Sequence, residues 1–402
     1  MLWLIASAVV LVLAGLSLAV WVPYLQTQRL VRDVELLGGE AGVETCLPEW
    51  VYEFVAEWDV EEWTWMFETR VTDLSLHACQ LDEGWWLRIK RLRSLRFLNL
   101  SATNVDDAAL RHLAGLRELT SLCLENTRVS DEGLKHLSGL PQLDELDLSH
   151  TKVTGTGLAA LGASAQLTDL DGNGSLFNDA GMAELYRFPL LATIDLTATR
   201  VTDVGVRRLS SFPDISSLYL AKNRLTDDCL PALAGLTKLE MLSLAEMPLT
   251  DAGVAHLKTT LNLRHLRLAG TRVTGRGLKG FGAFGNLDLS RAPVDDDGLR
   301  QIPACTDLGL DKTRITDEGL RFLASTGTCP HTTVSLQSTG VTDRGLRFLS
   351  VLPKLQQICL HGTACTTPQI LASIKLREDL QLPVAVERTE QAESLASYDE
   401  DA

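Results

Sequence analysis

The sequence lacks the common catalytic signatures. It contains no H-E-x-x-H, no G-x-S-x-G and no paired C-x-x-C motif, which are the patterns that supply zinc ligands, a serine nucleophile or a redox pair. Its eight histidines are scattered along the chain without a common site. We therefore expect a protein that is not an enzyme.

Basic residues are scarce relative to acidic ones. The chain has 37 Lys and Arg against 52 Asp and Glu, a formal net charge of −15. Binding to nucleic acid depends on a positive surface that replaces counterions, so we expect no nucleic-acid partner. Tryptophan is absent after residue 86, although eight occur within the first 86 residues, and this uneven distribution separates the first part of the chain from the rest.

The largest part of the chain repeats one stretch. Residues 119–140 read LTSLCLENTRVSDEGLKHLSGL, in which the apolar spacing changes from strand-like to helix-like. The stretch fits again after shifts of about 24 residues, and roughly thirteen copies run from Val71 to Leu371. One copy cannot fold alone, because ordering each backbone residue costs about 1 to 2 kcal/mol. Stacking of the copies is therefore required.

Each copy carries a helix N-cap residue directly after the apolar residue that occupies the position of Val129 in the repeat. This residue is a good N-cap in every copy: Asp82, Asp106, Ser130, Thr154, Asn178, Thr202, Thr226, Thr250, Thr274, Asp295, Thr316, Thr342 and Thr366. The next residue is Asp or Glu in ten of the thirteen, where a carboxylate meets the positive end of the helix dipole. We interpret these acids as structural. A Thr column just past the strand is predicted to bond turn amides along the stack.

At these residues the sequence resembles a known family. The string V-[ST]-D-x-G-L-x-x-L at 129–137 and 341–349, and at 201–209 with Val206 in place of the first Leu, is similar to leucine-rich repeats of the ribonuclease-inhibitor-like class, in the short version common in bacteria. The resemblance implies an α/β leucine-rich repeat solenoid, an arc with a parallel concave sheet and short convex helices, at residues 71–384. Gly275, Gly277 and Gly280 spell G-x-G-x-x-G, but the repeat register assigns Gly277 to a helix cap, so we do not expect nucleotide binding.

The beginning of the chain predicts a membrane location. Residues 2–22 carry no charge, and that length can span a bilayer, so we predict one transmembrane anchor at 1–23 and a single-pass membrane protein of unresolved orientation. A cleaved signal peptide ending near Ala19 is the alternative.

The segments flanking the repeats have their own predictions. Residues 24–70, with a helix from Leu25 to Leu37 and a Trp-rich stretch, are predicted to be a helical cap on the first copy. Residues 47–54 weakly resemble the start of an F-box. An F-box-like adaptor is therefore a remote alternative to the capping role of this segment. A basic run at 88–96 is predicted to lie at a solvated helix end, with anionic lipid as the alternative partner. The acidic tail at 385–402 is predicted to be disordered.

The strand positions flanking the inner leucines project from the concave face and define our candidate partner site. Acidic residues precede an aromatic and then a basic pair along this face, which favours a protein partner, with a basic one favoured by the acids. The predicted site residues are Glu145, Asp147, Asp169, Asp171, Asp195, Tyr219, Met241, His265 and Arg267.

One alternative for the acidic part of this face is calcium. Asp169, Asp171, Asn173 and Gly174 spell D-x-D-x-N-G, the opening of an EF-hand-like loop. Asp179 is the candidate fourth ligand, although the closing Glu is missing. The alternative interpretation of the same residues is a degenerate copy of the repeat, with Gly172 in place of the strand Leu.

The sequence thus predicts a membrane-anchored, monomeric interaction scaffold that uses no cofactor. The alternative is a calcium-responsive sensor. The eight cysteines form no evident pairs; Cys305 and Cys329 could approach one another, but we expect reduced thiols.

Overall fold

A computed structural model describes residues 25–45, 69–162, 166–212, 214–325, 333–349, 355–366 and 385–386. The chain divides into two compact units, Met1–Leu176 and Phe177–Ala402. In both units short strands alternate with short helical segments, as the repeat pattern predicts.

The first unit contains a sheet whose strands follow one another in chain order. Its strands are β1 Glu40–Thr45, β2 Thr69–Ser75, β3 Phe97–Asn99, β4 Ser121–Cys123, β5 Glu145–Asp147 and β6 Asp169–Asp171. Strands β2 to β6 are parallel, each paired with the next. The connections contain helices α1 Glu83–Ile89 and α2 Asp131–Leu134, and 3-10 turns at Ala109–Leu113, Lys135–Leu137 and Thr156–Leu161.

The second unit repeats the same arrangement. Its strands are β7 Thr193–Asp195, β8 Ser217–Tyr219, β9 Met241–Ser243, β10 His265–Arg267, β11 Phe284–Asp288, β12 Cys305–Gly309, β13 Thr333–Ser335, β14 Gln357–Cys359 and β15 Ala385–Val386. They are parallel throughout. The helices are α3 Asp179–Glu184, α4 Asp203–Val206, α5 Leu230–Leu233, α6 Asp251–Val254, α7 Asp296–Leu299, α8 Asp317–Ser325 and α9 Asp343–Leu349. Further 3-10 turns lie at Leu185–Arg187, Arg207–Ser211, Asp227–Cys229, Ala255–Thr259 and Arg276–Leu278.

The segment before the repeats covers the first strand in an unexpected way. Residues 25–36 are helical, as predicted, but the chain then forms β1, which pairs antiparallel with β2. An uncovered edge strand exposes a row of unpaired amides and carbonyls, and β1 bonds to the edge of β2 where the sequence predicted only helix. Arg88 of α1 also pairs with Asp33 at 2.7 Å. The Trp-rich stretch at 46–68 lies outside the described residues.

The core of each unit is a ladder of aliphatic side chains. The middle residue of each three-residue strand is Leu, Ile or Val and is buried, for example Leu146 and Leu218. Burial of one such side chain contributes about 1.5 to 3 kcal/mol. The periodic leucines read from the sequence therefore form the hydrophobic interior.

A second ladder joins successive copies at the helix N-termini. The repeated Asp of one copy accepts hydrogen bonds from the N-cap Ser or Thr of the next: Asp179 Oδ1 accepts from Thr202 N at 2.8 Å, and its Oδ2 accepts from the Thr202 hydroxyl at 2.6 Å. Gly205 N also donates to Asp179, at 3.1 Å. A Cβ on Gly205 would lie 2.5 Å from Asp179 Oδ1, so glycine lets the carboxylate approach. The same pairing occurs at Asp107, Asp131, Asp203, Asp227, Asp251, Asp296, Asp317 and Asp343.

The choice of N-cap follows from this ladder. The hydroxyl caps, Ser or Thr, all follow a copy that supplies the Asp, because a hydroxyl can donate to it. Where the preceding copy has Gly155 or Gly275 instead, the next cap is Asn178 or Asp295. Asp295 accepts from Gly298 N at 2.7 Å, and this bond together with Arg276 lowers the pKa of Asp295. A carboxylate cap beside another carboxylate would repel it.

The Thr column confirms the prediction in part and has a further role. Its hydroxyls donate to the Leu carbonyl three residues earlier in the same copy, as Thr127 does to Leu124 at 2.6 Å. The Thr151 hydroxyl also accepts from a turn amide of its own copy, that of Val153, at 3.4 Å. A buried hydroxyl must donate its hydrogen, and the nearest acceptor is this carbonyl. The column therefore closes the turn after each strand.

The predicted membrane location is corrected by the structure. Within the described residues, none of the helices combines the length and the apolar character that a membrane crossing requires. The anchor predicted at 1–23 lies outside those residues, as do Cys329 and the part of the predicted tail after Val386. Cys305 is buried.

Candidate functional site

Four of the predicted acids form a block on the sheet of the first unit. Glu145 pairs in register with Asp169, and Asp147 with Asp171, so the carboxylates of β5 and β6 lie in adjacent pairs. Glu145 is exposed and the other three are partly exposed. Adjacent strands are about 4.8 Å apart, and like charges in this arrangement are destabilising.

Two of these acids also stabilise the turns that follow their strands. Asp147 Oδ1 accepts from Ser149 N at 2.8 Å, and Asp171 Oδ1 accepts from Asn173 N at 2.9 Å. Such bonds favour Asp at a turn. The sequence predicted a ligand-binding role for these acids but not a bond to the turn, and one oxygen of each accepts a backbone hydrogen bond.

In the second unit the predicted site residues lie on neighbouring strands. Asp195 and Tyr219 are in register, and so are Met241 and His265. Asp195 Oδ1 accepts from Thr197 N at 2.8 Å, which repeats the turn role of the first-unit acids. The Tyr219 hydroxyl contacts Met241 Sδ at 2.5 Å, so these two side chains form one aromatic and thioether surface.

His265 and Arg267 follow on the next strand of the second unit. His265 is partly exposed and Arg267 is exposed, on the same side of β10 because alternate strand residues share a face. From β7 to β10 the side chains on this face therefore change from acidic at Asp195, through aromatic at Tyr219, to basic at Arg267.

The candidate calcium ligands divide between the two units. Asp169, Asp171 and Asn173 lie in the first unit, whereas Asp179 begins α3 in the second. Both carboxylate oxygens of Asp179 accept hydrogen bonds from the next copy. Asp179 thus has a structural role that the motif did not reveal.

One cluster that the sequence analysis missed lies beside the acidic block. Within the described residues, Cys123, Glu125 and Asp147 bring one ligand atom each to within 4.8 Å of one another. The Cys123 thiol donates to Asp147 Oδ2 at 3.0 Å. Burial, followed by this hydrogen bond, raises the pKa of Cys123 to about 12. The thiol is therefore protonated at neutral pH and closes the cluster with its own hydrogen bond.

The raised pKa predicts slow alkylation of Cys123. With a pKa of about 12, only about one thiol in 10⁴ is ionised at pH 8, and the thiolate is the reactive form. Asp147→Asn removes a charge that raises the pKa of Cys123. We expect this variant to react with iodoacetamide several-fold faster, and mass spectrometry of the peptide that contains Cys123 measures the rate. Asp171→Asn, one strand further, is the matched control. Alkylation of wild-type Cys123 at the rate of free glutathione would contradict the assignment.

Comparison with known families supports the repeat fold. A family model described as a leucine-rich repeat matches residues 141–162, which include β5 and the 3-10 turn Thr156–Leu161. A search of curated proteins gives no match.

Solved structures with the same fold extend this result over most of the chain. The chain is similar to an internalin from Listeria monocytogenes, with 19% identity and a TM-score of 0.58, covering 85% of this chain and 95% of that one. It is also similar to a chain in the mouse RP105/MD-1 complex, with 16% identity and a TM-score of 0.53, covering 79% of this chain and 64% of that one. At these identities the likeness shows the fold, which is that of a leucine-rich repeat protein.

Proposed function

We propose that this protein is an interaction scaffold that holds a protein partner on the strand face of its repeats. Leucine-rich repeat proteins commonly mediate protein–protein interaction, and the mouse structure contains RP105 together with MD-1. The observation that carries the proposal here is the acidic block of β5 and β6. These like charges oppose one another across adjacent strands, and a bound cationic group would relieve that repulsion.

The chemistry of the proposed partner follows from the surface. Acids on β5, β6 and β7 would steer a basic partner, because complementary charge raises the association rate. Tyr219 and Met241 supply a partly exposed apolar surface that such a partner could bury, and aromatic residues are typical anchors of interfaces. The scaffold contributes position and charge in this proposal and carries out no reaction.

The proposal predicts the behaviour of a triple variant in which Asp147, Asp171 and Asp195 become Asn. Asn keeps the Oδ1 acceptor, so the turn bonds to Ser149 and its counterparts persist and the melting temperature should be unchanged or slightly raised. Association with a labelled lysine-rich peptide should slow about tenfold at low salt. Stopped-flow fluorescence at several salt concentrations measures both the rate and its salt dependence.

The matched control removes the same charge elsewhere. Glu132→Gln, Asp228→Asn and Asp297→Asn change three exposed acids at helix starts and should leave the association rate within about twofold. If both triple variants slow binding equally, the effect is that of net charge and the strand face is not the site.

Calcium binding is the alternative that a separate measurement distinguishes. Calorimetric titration of the wild-type protein with CaCl₂ should give no saturable heat if the acids serve a protein partner. Saturable binding that the triple Asn variant loses would favour the sensor.

A further inference from the structure

A row of cations lies on the second unit, in the turns that follow its strands. We call it the basic edge and define it as Arg200, Lys222, Arg224, Arg272, Lys312 and Arg314. All six side chains are exposed. None has an ion-pair partner among the residues that the structure describes.

The backbone holds these cations at regular positions. Arg224 forms a parallel bridge with Thr202, and Arg314 forms one with Asp295. Arg272 N donates to Leu249 O at 2.9 Å, in the preceding copy. The copies are therefore connected at this position as well as at the strands, and successive positions are about 4.8 Å apart. The cations form an ordered row.

The cations of the basic edge occupy two positions of the repeat, those of Lys222 and Arg224 in their copy. In the second unit only one acidic residue occurs at these positions. In the second unit the remaining residues there are Ala198, Glu246, Pro248, Gly270, Arg291, Pro293, Ser338, Gly340, Gly362 and Ala364. The exception, Glu246, forms an ion pair with Arg291. In a chain of net charge −15, a row with this sign runs against the overall composition, and its like charges repel one another.

We propose that the basic edge docks an acidic polypeptide segment of another protein. Several carboxylates spaced along an extended chain would pair with exposed guanidinium groups, which suit bidentate contacts. Nucleic acid fits the row less well, since the whole chain is strongly acidic and the two positions contain no aromatic ring on which a base could stack. The surface is distinct from the strand-face residues assigned above, so the two proposals are tested separately.

The test compares two quadruple variants of the full chain. In the first, Arg200, Arg224, Arg272 and Arg314 become Gln. In the control, the exposed cations Arg207, Arg208, Lys258 and Lys279 of the helical connections become Gln, which produces the same net charge. The probe is a fluorescein-labelled peptide of about 12 glutamates, and its binding is measured by fluorescence anisotropy in low salt, where charge contacts contribute most.

The proposal expects the basic-edge variant to weaken peptide binding at least tenfold while the control stays within twofold. A third variant, with the same four arginines changed to Lys, should retain binding within about threefold and shows that charge is responsible even if the Gln variant melts early. Equal weakening by the Gln variant and its control would overturn the proposal. A uridine 12-mer that binds the wild type more tightly than the peptide would also overturn it, in favour of nucleic acid.

Discussion

Replacing Gly298 with Ala is expected to destabilise the second unit by roughly 3 kcal/mol or more. A Cβ built on Gly298 lies 1.8 Å from the carbonyl oxygen of Thr274, and this contact is with backbone that cannot rotate away. The backbone of α7 would have to move, and the hydrogen bond from Gly298 N to Asp295 would be strained. Urea denaturation followed by circular dichroism should show a lower midpoint.

Gly235→Ala is the matched control for this change. The nearest atom to a Cβ at Gly235 is 3.6 Å away, an ordinary contact, and Ala reduces the entropy of the unfolded chain. We expect a midpoint equal to that of the wild type or slightly above it. If Gly298→Ala unfolds at the same urea concentration as Gly235→Ala, the close approach of α7 to Thr274 is wrong.

Replacing Thr202 with Asp is expected to cost about 2 to 4 kcal/mol, because it places a second carboxylate where a hydroxyl now donates to Asp179. Asp is itself a good N-cap, so the loss would report on the charge contact and not on helix capping. The free energy of unfolding from urea titration measures it.

A double variant separates repulsion from the loss of the cap. Asp179→Ala alone should cost about 2 to 3 kcal/mol, since Thr202 and Gly205 lose their acceptor. Adding Thr202→Asp to it should cost little more, so the double variant is more stable than additivity predicts. Asn178→Asp, a cap whose preceding copy has Gly155 in place of the Asp, should be tolerated within about 0.5 kcal/mol. Strict additivity of Asp179→Ala and Thr202→Asp would show that the two side chains do not interact.

Much of the fold could be read from the sequence because it is local. Leu146 and its counterparts recur at the repeat period, and burial of a three-residue strand requires only that its middle residue be apolar. The N-cap column likewise depends on residues within one turn of each other. The cap before the first copy was less predictable, since the pairing of β1 with β2 depends on a free sheet edge that no local pattern specifies.

The candidate site shows the same division. The acids of β5 and β6 were placed together correctly, because equal spacing in adjacent copies puts residues in register. Three features of the site could not be predicted, since they depend on the directions of side chains. They are the hydrogen bonds of these acids to the turn amides of Ser149 and Asn173, the contact of Tyr219 with Met241, and the cluster around Cys123.

The sequence by itself determined the period, the alternation of strand and helix, the aliphatic core and the residues that end each strand or begin each helix, since these follow from spacing along the chain. Only the tertiary structure decided which groups those residues bond. Asp179 and Thr202 are 23 residues apart, and each is an ordinary helix-start residue in its own copy. Stacking brings them within hydrogen-bond distance, because one copy advances by about 4.8 Å. The same short advance aligns the exposed cations of the basic edge, whose separation in sequence hides their proximity in space.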